Sequence, residues 1–168
     1  ELYDLTASKP NTIVPRDRRF EVPERLDERG EVRTPLDESA VEDVATEIAA
    51  TEADSVAVCL LFAYENDAHE RRVAELLRER LDDRLGSSGA GAGADSAVPI
   101  TVSADVLPEL REYERTLATA LNAALLPVMS EYVETLADGV ANRGCNVPLE
   151  IMTSGGGLVG AEHARDRP

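Results

Sequence analysis

The stretch Ser55–Tyr64 constrains the architecture more than any other. In a chain that is 30% charged, Ser-Val-Ala-Val-Cys-Leu-Leu-Phe-Ala-Tyr carries no charge and is β-branched at its start. Such a run predicts a central strand covered on both faces, as in a parallel sheet. The neighbouring segments supply the covering helices. Pro35-Leu36-Asp37-Glu38 opens one, with Asp37 or Thr34 able to cap its free amides and Val41, Val44, Ala45 and Ile48 as its apolar stripe. Asp67 with Glu70 reads as a capping box for a second helix over 68–82, striped by Val73, Leu76, Leu77 and Leu81. Ala97–Ser103 predicts another strand. A long helix should follow from about Leu110 to Ala141, kinked at Pro127. Val147–Thr153 predicts a third strand. The alternation of strands with long helical crossovers gives an α/β class with a largely parallel sheet.

The first ten residues read as loop. Arg18–Val22 and Glu31–Thr34, around a turn at Glu28-Arg29-Gly30, predict a small β-hairpin at an edge. The chain of 168 residues is one ordinary domain. It divides into an N-terminal loop and hairpin, 1–36, and an α/β segment, 37–168, with a mobile Gly/Ala loop at 86–96.

A net charge of −16 argues against nucleic acid, which demands a basic footprint. Lys9 is the only lysine beside many arginines, a balance expected of a halophile's cytoplasmic protein, because molar salt screens the repulsion of an acidic surface. Cys59 and Cys145 make no disulfide framework, and no apolar run is long enough to span a bilayer. The chain opens on Glu-Leu-Tyr-Asp-Leu without Met, as expected of a piece of something longer.

Thr116–Ser130 contains no charge yet has helical spacing. Leu117, Leu121, Leu125 and Val128 share one face; Glu112, Arg115, Thr116, Thr119 and Asn122 share the opposite one. Exposed faces elsewhere are paved with Glu, Asp and Arg, so this polar face should be buried or line a cleft. Glu112 and Arg115, one turn apart, are placed to pair. Ser154-Gly155-Gly156-Gly157 follows a strand, where glycines let backbone N–H groups approach an anion or carbonyl, or simply make a tight turn. Gly86–Gly93 lacks the Gly-Lys of a phosphate loop and reads as linker. His69-Glu70 is half a zinc motif whose second histidine position is Val73, so no metal site is expected and His69 should bond locally.

Several segments, in order, resemble the ATP-dependent hydantoinase A / 5-oxoprolinase family, of N-methylhydantoinase A type and related to acetone carboxylase subunits. They are Leu2-Tyr3-Asp4-Leu5 with Lys9-Pro10, Val14-Pro15-Arg16 through Glu21–Asp27, Pro35–Glu38, Ala57–Phe62 and His69–Val73. Arg111–Thr116 with Asn122-Ala123, and Ile151–Leu158, complete the set. The resemblance implies a share of an actin/sugar-kinase-like (ribonuclease H-like) nucleotide-binding fold. It also implies a parent enzyme that uses ATP and Mg2+ to open a cyclic amide, such as hydantoin or 5-oxoproline, by phosphorylating the amide carbonyl before hydrolysis. The family's phosphate loops would lie outside this chain, so the isolated chain should show no ATPase activity. A B-type subunit is an implied partner, and an acetone-carboxylase-type subunit or a structural docking segment is the alternative. Glu112, Arg115, Thr119, Asn122, Ser154, Gly155 and Gly156 are the candidates for a substrate cleft. Where the family usually reads Met-Gln-Ser-Asn-Gly-Gly, this chain has Met152-Thr153-Ser154-Gly155-Gly156-Gly157, which removes two amide side chains.

Overall fold

Helices form where the apolar spacing places them. The computed structural model describes residues 12–51, 53–87, 98–145 and 147–166. Most of the Gly/Ala loop and the N-terminal ten residues lie outside that set. Among the described residues, a hairpin of β1 (Arg25–Leu26) and β2 (Val32–Thr34) precedes α1 (Glu38–Ile48), β3 (Val56–Val58), α2 (Ala68–Ser87) and β4 (Ile100–Val102). There follow α3 (Ser103–Val106), α4 (Glu112–Ala141), β5 (Glu150–Met152), β6 (Leu158–Gly160) and α5 (Ala161–Asp166). Asp37 caps α1, its side chain accepting from the Ala40 amide. The hydroxyl of Ser39, then that amide, hold the Asp37 carboxyl below its ordinary value.

Val41, Ala45 and Ile48 of α1 interlock with Val73, Ala74, Leu76, Leu77 and Leu81 of α2, and this layer closes over Val58 and Val102 of the strand pair. Each fully buried aliphatic side chain there contributes about 1.5–3 kcal/mol. Charges border the α1–α2 seam: Arg72 grips Glu38 through Nε and Nη2 at 2.8 and 2.9 Å, and Arg80 meets Glu42 at 2.6 Å.

The sheet departs from expectation. Only β3 and β4 run parallel, in register Val56↔Ile100 to Val58↔Val102, with α2 as their crossover. The third expected strand forms β5, but it pairs antiparallel with β6. The reason is connection length, since the short turn between them cannot carry a crossover and can only bring the chain back on itself. The architecture is therefore mixed α/β with three two-stranded sheets.

The strand expected over Ser55–Tyr64 stops at Val58, and Ala57 is exposed rather than covered. Its apolar continuation is a turn, with Phe62 in the left-handed region at φ 58°. In the N-terminal hairpin the first strand is displaced from 18–22 to Arg25–Leu26, while Arg16–Arg18 forms a single 3-10 turn. Asp27 sets that register: its Oδ1 accepts from the amides of Arg29 and Glu31 at 2.9 and 3.0 Å, and Oδ2 pairs with Arg33 at 2.6 Å.

Candidate functional site

The turn that ends β3 is where buried polar groups converge. The Leu60 backbone is held from both sides by side chains. Its N–H donates to Glu70 Oε1 at 2.7 Å, and its carbonyl accepts from Arg115 Nη2 at 2.7 Å. The Ser103 hydroxyl donates to the same Glu70 oxygen at 2.6 Å, and the Ala104 amide donates to Oε2 at 3.0 Å. Glu70, Ser103, Arg115 and Thr119 are all fully buried, each at 0% exposure. Side chains from the first turns of α2 and of α4 thus meet on the backbone of one residue, and the start of α3 holds the Glu70 carboxylate from behind. Because these side chains take the hydrogen bonds a neighbouring strand would use, the β3 ladder ends there.

Past Leu60 the chain carries a row of rings and cations. Arg25 lies over the Phe62 ring at 5.5 Å, Phe62 and Tyr64 are 6.2 Å apart, and Arg115 lies over Tyr64 at 5.6 Å. Such contacts are favourable when partly desolvated. Burial, then the charges of Glu65 and Glu112, pushes the Tyr64 phenol above its ordinary value, so it stays protonated at neutral pH. Asn66 closes the loop, its amide donating to the Gly30 carbonyl at 2.8 Å while its Oδ1 accepts from the Ala68 amide that opens α2. A non-glycine residue at positive φ is uncommon and costs about 1–3 kcal/mol, so Phe62 is held there by its surroundings.

The expected site residues fall into two groups. Arg115, Thr119 and Asn122 are buried together on one face of α4, with the Thr119 hydroxyl donating to the Arg115 carbonyl at 2.7 Å. Thr116 is exposed but contacts Cys59, Oγ1 to Sγ at 3.0 Å. Arg115 turns inward to Leu60 and makes no ion pair with Glu112. Its Nε and Nη1 are buried with no hydrogen-bond partner among the described residues. The leucine face of the helix is the open one: Leu121, Leu125 and Val128 are exposed at 43, 49 and 66%.

Ser154, Gly155 and Gly156 form a tight turn at the tip of the β5–β6 hairpin, with the Thr153 amide on the Gly157 carbonyl at 2.8 Å and the Gly156 amide on the Thr153 carbonyl at 2.9 Å. The hairpin packs on α5, and α5 on α4, where the Ser130 hydroxyl donates to the Arg165 carbonyl at 3.4 Å. Ser130 is about 22 Å along the helix axis from Arg115 at 1.5 Å per residue. The glycine turn is thus attached to a later part of α4 than the buried arginine. The Thr153 and Gly156 amides bond within the turn, and residues 153–160 include no Lys or Arg that could meet a phosphate. No step involving ATP is assigned to these residues.

Glu70 escaped the sequence reading. It is not the return arm of a capping box but reaches across to β3 and β4. The signal was present, for Glu70 lies three, four and seven residues before Val73, Ala74 and Leu77, in line with the apolar stripe of α2. His69 does not bond locally either, since Nδ1 meets Glu24 at 2.7 Å across to the hairpin. Among the described residues no group of three or more His, Cys, Asp or Glu side chains is placed to hold a metal ion. No described helix is long and apolar enough to cross a membrane.

A mixed α/β chain with a buried polar clamp at the end of a parallel strand is a class shared by many enzymes and binding proteins. The comparisons narrow it. Residues 1–81 match the model of the hydantoinase/oxoprolinase N-terminal region, and residues 115–168 match that of hydantoinase/oxoprolinase. The chain belongs to the hydantoinase/oxoprolinase family. It is 33% identical over 168 residues to an uncharacterized protein of Methanocaldococcus jannaschii, covering all of this chain and 23% of that one. It is 30% identical over 165 residues to caprolactamase subunit alpha of Pseudomonas jessenii, covering 98% and 22% respectively. The nucleotide-free structure of acetone carboxylase, from work on ATP-dependent acetone carboxylation, superposes with a TM-score of 0.76 at 28% identity over 96% of this chain and 22% of that one. The chain thus spans 22–23% of the length of these relatives.

Proposed function

We propose that the chain is part of an ATP-dependent hydrolase that opens cyclic amides of the hydantoin or 5-oxoproline class. In that enzyme the carbonyl is phosphorylated and then hydrolysed, with Mg2+ and ATP held by residues outside this chain. Within the chain, the edge offered to substrate is the loop Leu61–Tyr64. The observation that carries this assignment is the left-handed Phe62 at the C-terminal end of a parallel strand, the position where α/β folds place ligands and where backbone strain concentrates. The ordered match to both family regions supports the reaction class, as does the similarity to a caprolactamase subunit. An actin-like nucleotide fold would be completed by the rest of the parent chain, in a cytoplasmic protein whose acidic, lysine-poor surface suits high salt. The longer protein, assayed with hydantoin, 5-oxoproline, caprolactam and acetone, should turn over one of the cyclic amides only with ATP. The 168-residue chain alone should hydrolyse no ATP. Carboxylation of acetone without amide hydrolysis would replace this reading with an acetone-carboxylase-type subunit.

A second reading is favoured by the exposed stripe Leu121, Leu125, Val128 and Tyr132 on α4. With Thr119 and Asn122 packed inside, this is the arrangement of a docking helix rather than a cleft wall. The stripe would lie against the rest of the parent chain or a B-type subunit. Leu125→Glu with Val128→Glu in the longer protein should then release the partner or lower solubility, and an unchanged assembly on size exclusion would rule it out.

A further inference from the structure

We infer that Glu70 is a positioning residue for the Leu61–Tyr64 edge, acting through the Leu60 backbone and Arg115; this rests on the reading of that loop as the substrate edge. Glu70 lies in the first turn of α2 but spends none of its oxygens there. Both accept from β3 and from the β4–α3 junction, through Leu60, Ser103 and Ala104. Of Leu60's two backbone polar groups, Glu70 holds the N–H and Arg115 the carbonyl, each at 2.7 Å. A carboxylate and a guanidinium buried without direct contact thus fix the two successive peptide groups that flank one residue. Two residues further on, Phe62 sits at φ 58°, a conformation that persists only where the surroundings over-determine it. The clamp is what over-determines it, because rotation of either peptide plane flanking Leu60 would break a charge-assisted hydrogen bond. The same arginine lies over Tyr64, so loosening Glu70 releases both ends of the loop's aromatic pair.

Glutamine at position 70 keeps the size but replaces one acceptor oxygen by an N–H2 group, which faces the donors of Leu60, Ser103 or Ala104. In the longer enzyme, assayed with 5-oxoproline and hydantoin, Glu70→Gln should lower kcat about 100-fold, the scale of a 1 Å misplacement, with KM unchanged. Glu70→Gln combined with Arg115→Lys should be no slower than Arg115→Lys alone, because both act through the backbone of Leu60. Losses that multiply, or wild-type kcat in Glu70→Gln, would overturn the assignment. Should Glu70→Gln fail to fold, Ser103→Ala removes only one of the three hydrogen bonds on Glu70; a lowered kcat in that folded variant supports the assignment and an unchanged one overturns it. Peptide-mapped thiol labelling of Cys59, next to the clamp and half-buried, gives a readout free of activity. Faster labelling in Glu70→Gln supports the clamp even if neither amide is a substrate, in which case the reaction reading falls alone. Unchanged labelling overturns the clamp whatever the enzyme hydrolyses.

Discussion

Helices α2 and α4 bury opposite kinds of side chain. In α2 the apolar stripe from Val73 to Leu81 is inside and Arg71, Arg78 and Arg80 are outside, while Glu70 is buried with the stripe. In α4 the buried set includes Arg115, Thr119 and Asn122, while Leu121, Leu125 and Val128 face outward. The difference teaches that α2 is satisfied by these residues alone, whereas α4 is arranged around a polar contact on one side and leaves apolar surface for something else on the other. An apolar stripe on the outside of a helix is informative in a way a single exposed leucine is not.

Substitutions test the contrast in order of size. Arg115→Ala should be the most damaging, at about 4 kcal/mol of unfolding free energy in urea, because it leaves the Leu60 carbonyl without its donor and a cavity where a fully buried side chain stood. A cost near zero would show that the polar face of α4 is not structural. Full burial also means that alanine at 115 cannot separate turnover from folding; lysine is the useful variant for activity. Leu77→Ala, in the conventional core of α2, should cost about 3 kcal/mol. Gly30→Ala should cost about 1–2 kcal/mol, since Gly30 has φ 74° and an added Cβ would meet the Asn66 Cβ at 3.0 Å. Leu125→Ser should change stability by no more than about 0.5 kcal/mol in the chain alone. A markedly larger loss in the longer protein would show that the stripe is covered there.

Acid sharpens the same picture at the smallest scale. The Arg29 amide is the first of the groups that hold Asp27 below its ordinary 3.8, and Ser39 and Ala40 do the same for Asp37. Carboxyls depressed in the folded state contribute stability that is complete above the unfolded value and is lost as pH falls through the folded one. The hairpin and the start of α1 should therefore loosen below about pH 4, before the α2 core, in amide hydrogen exchange. Asp37→Asn should flatten that pH dependence for α1.

How much of this was legible depends on range. The bounds of α1 and α4, the Asp37 cap and the parallel pairing of the two central strands follow from local periodicity and crossover length. The burial of Arg115, Thr119 and Asn122 was legible as one of two outcomes, because a charge-free polar face in so acidic a chain has to be sheltered. The outward turn of Leu121 and Leu125 was not, since leucine at helical spacing signals burial without saying in which assembly. The role of Glu70 was hidden by a sufficient local explanation: a glutamate three residues after Asp67 satisfies a capping box. The shortened strand was hidden because Leu60–Tyr64 has the composition of a buried strand and the backbone of a turn.

The contact between Gly30 and Asn66 gives the N-terminal ribbon a role as a gauge. With no Cβ at one residue and a side-chain amide bound to its carbonyl at 2.8 Å, the hairpin is seated directly on the Leu61–Asn66 turn, and Glu24 and Arg25 fasten it there through His69 and Phe62. Movement of the turn is therefore transmitted to a surface ribbon some thirty residues earlier in sequence. The amide resonances of Gly30 and Glu31 would record the state of the loop from outside it, without a probe in the loop itself.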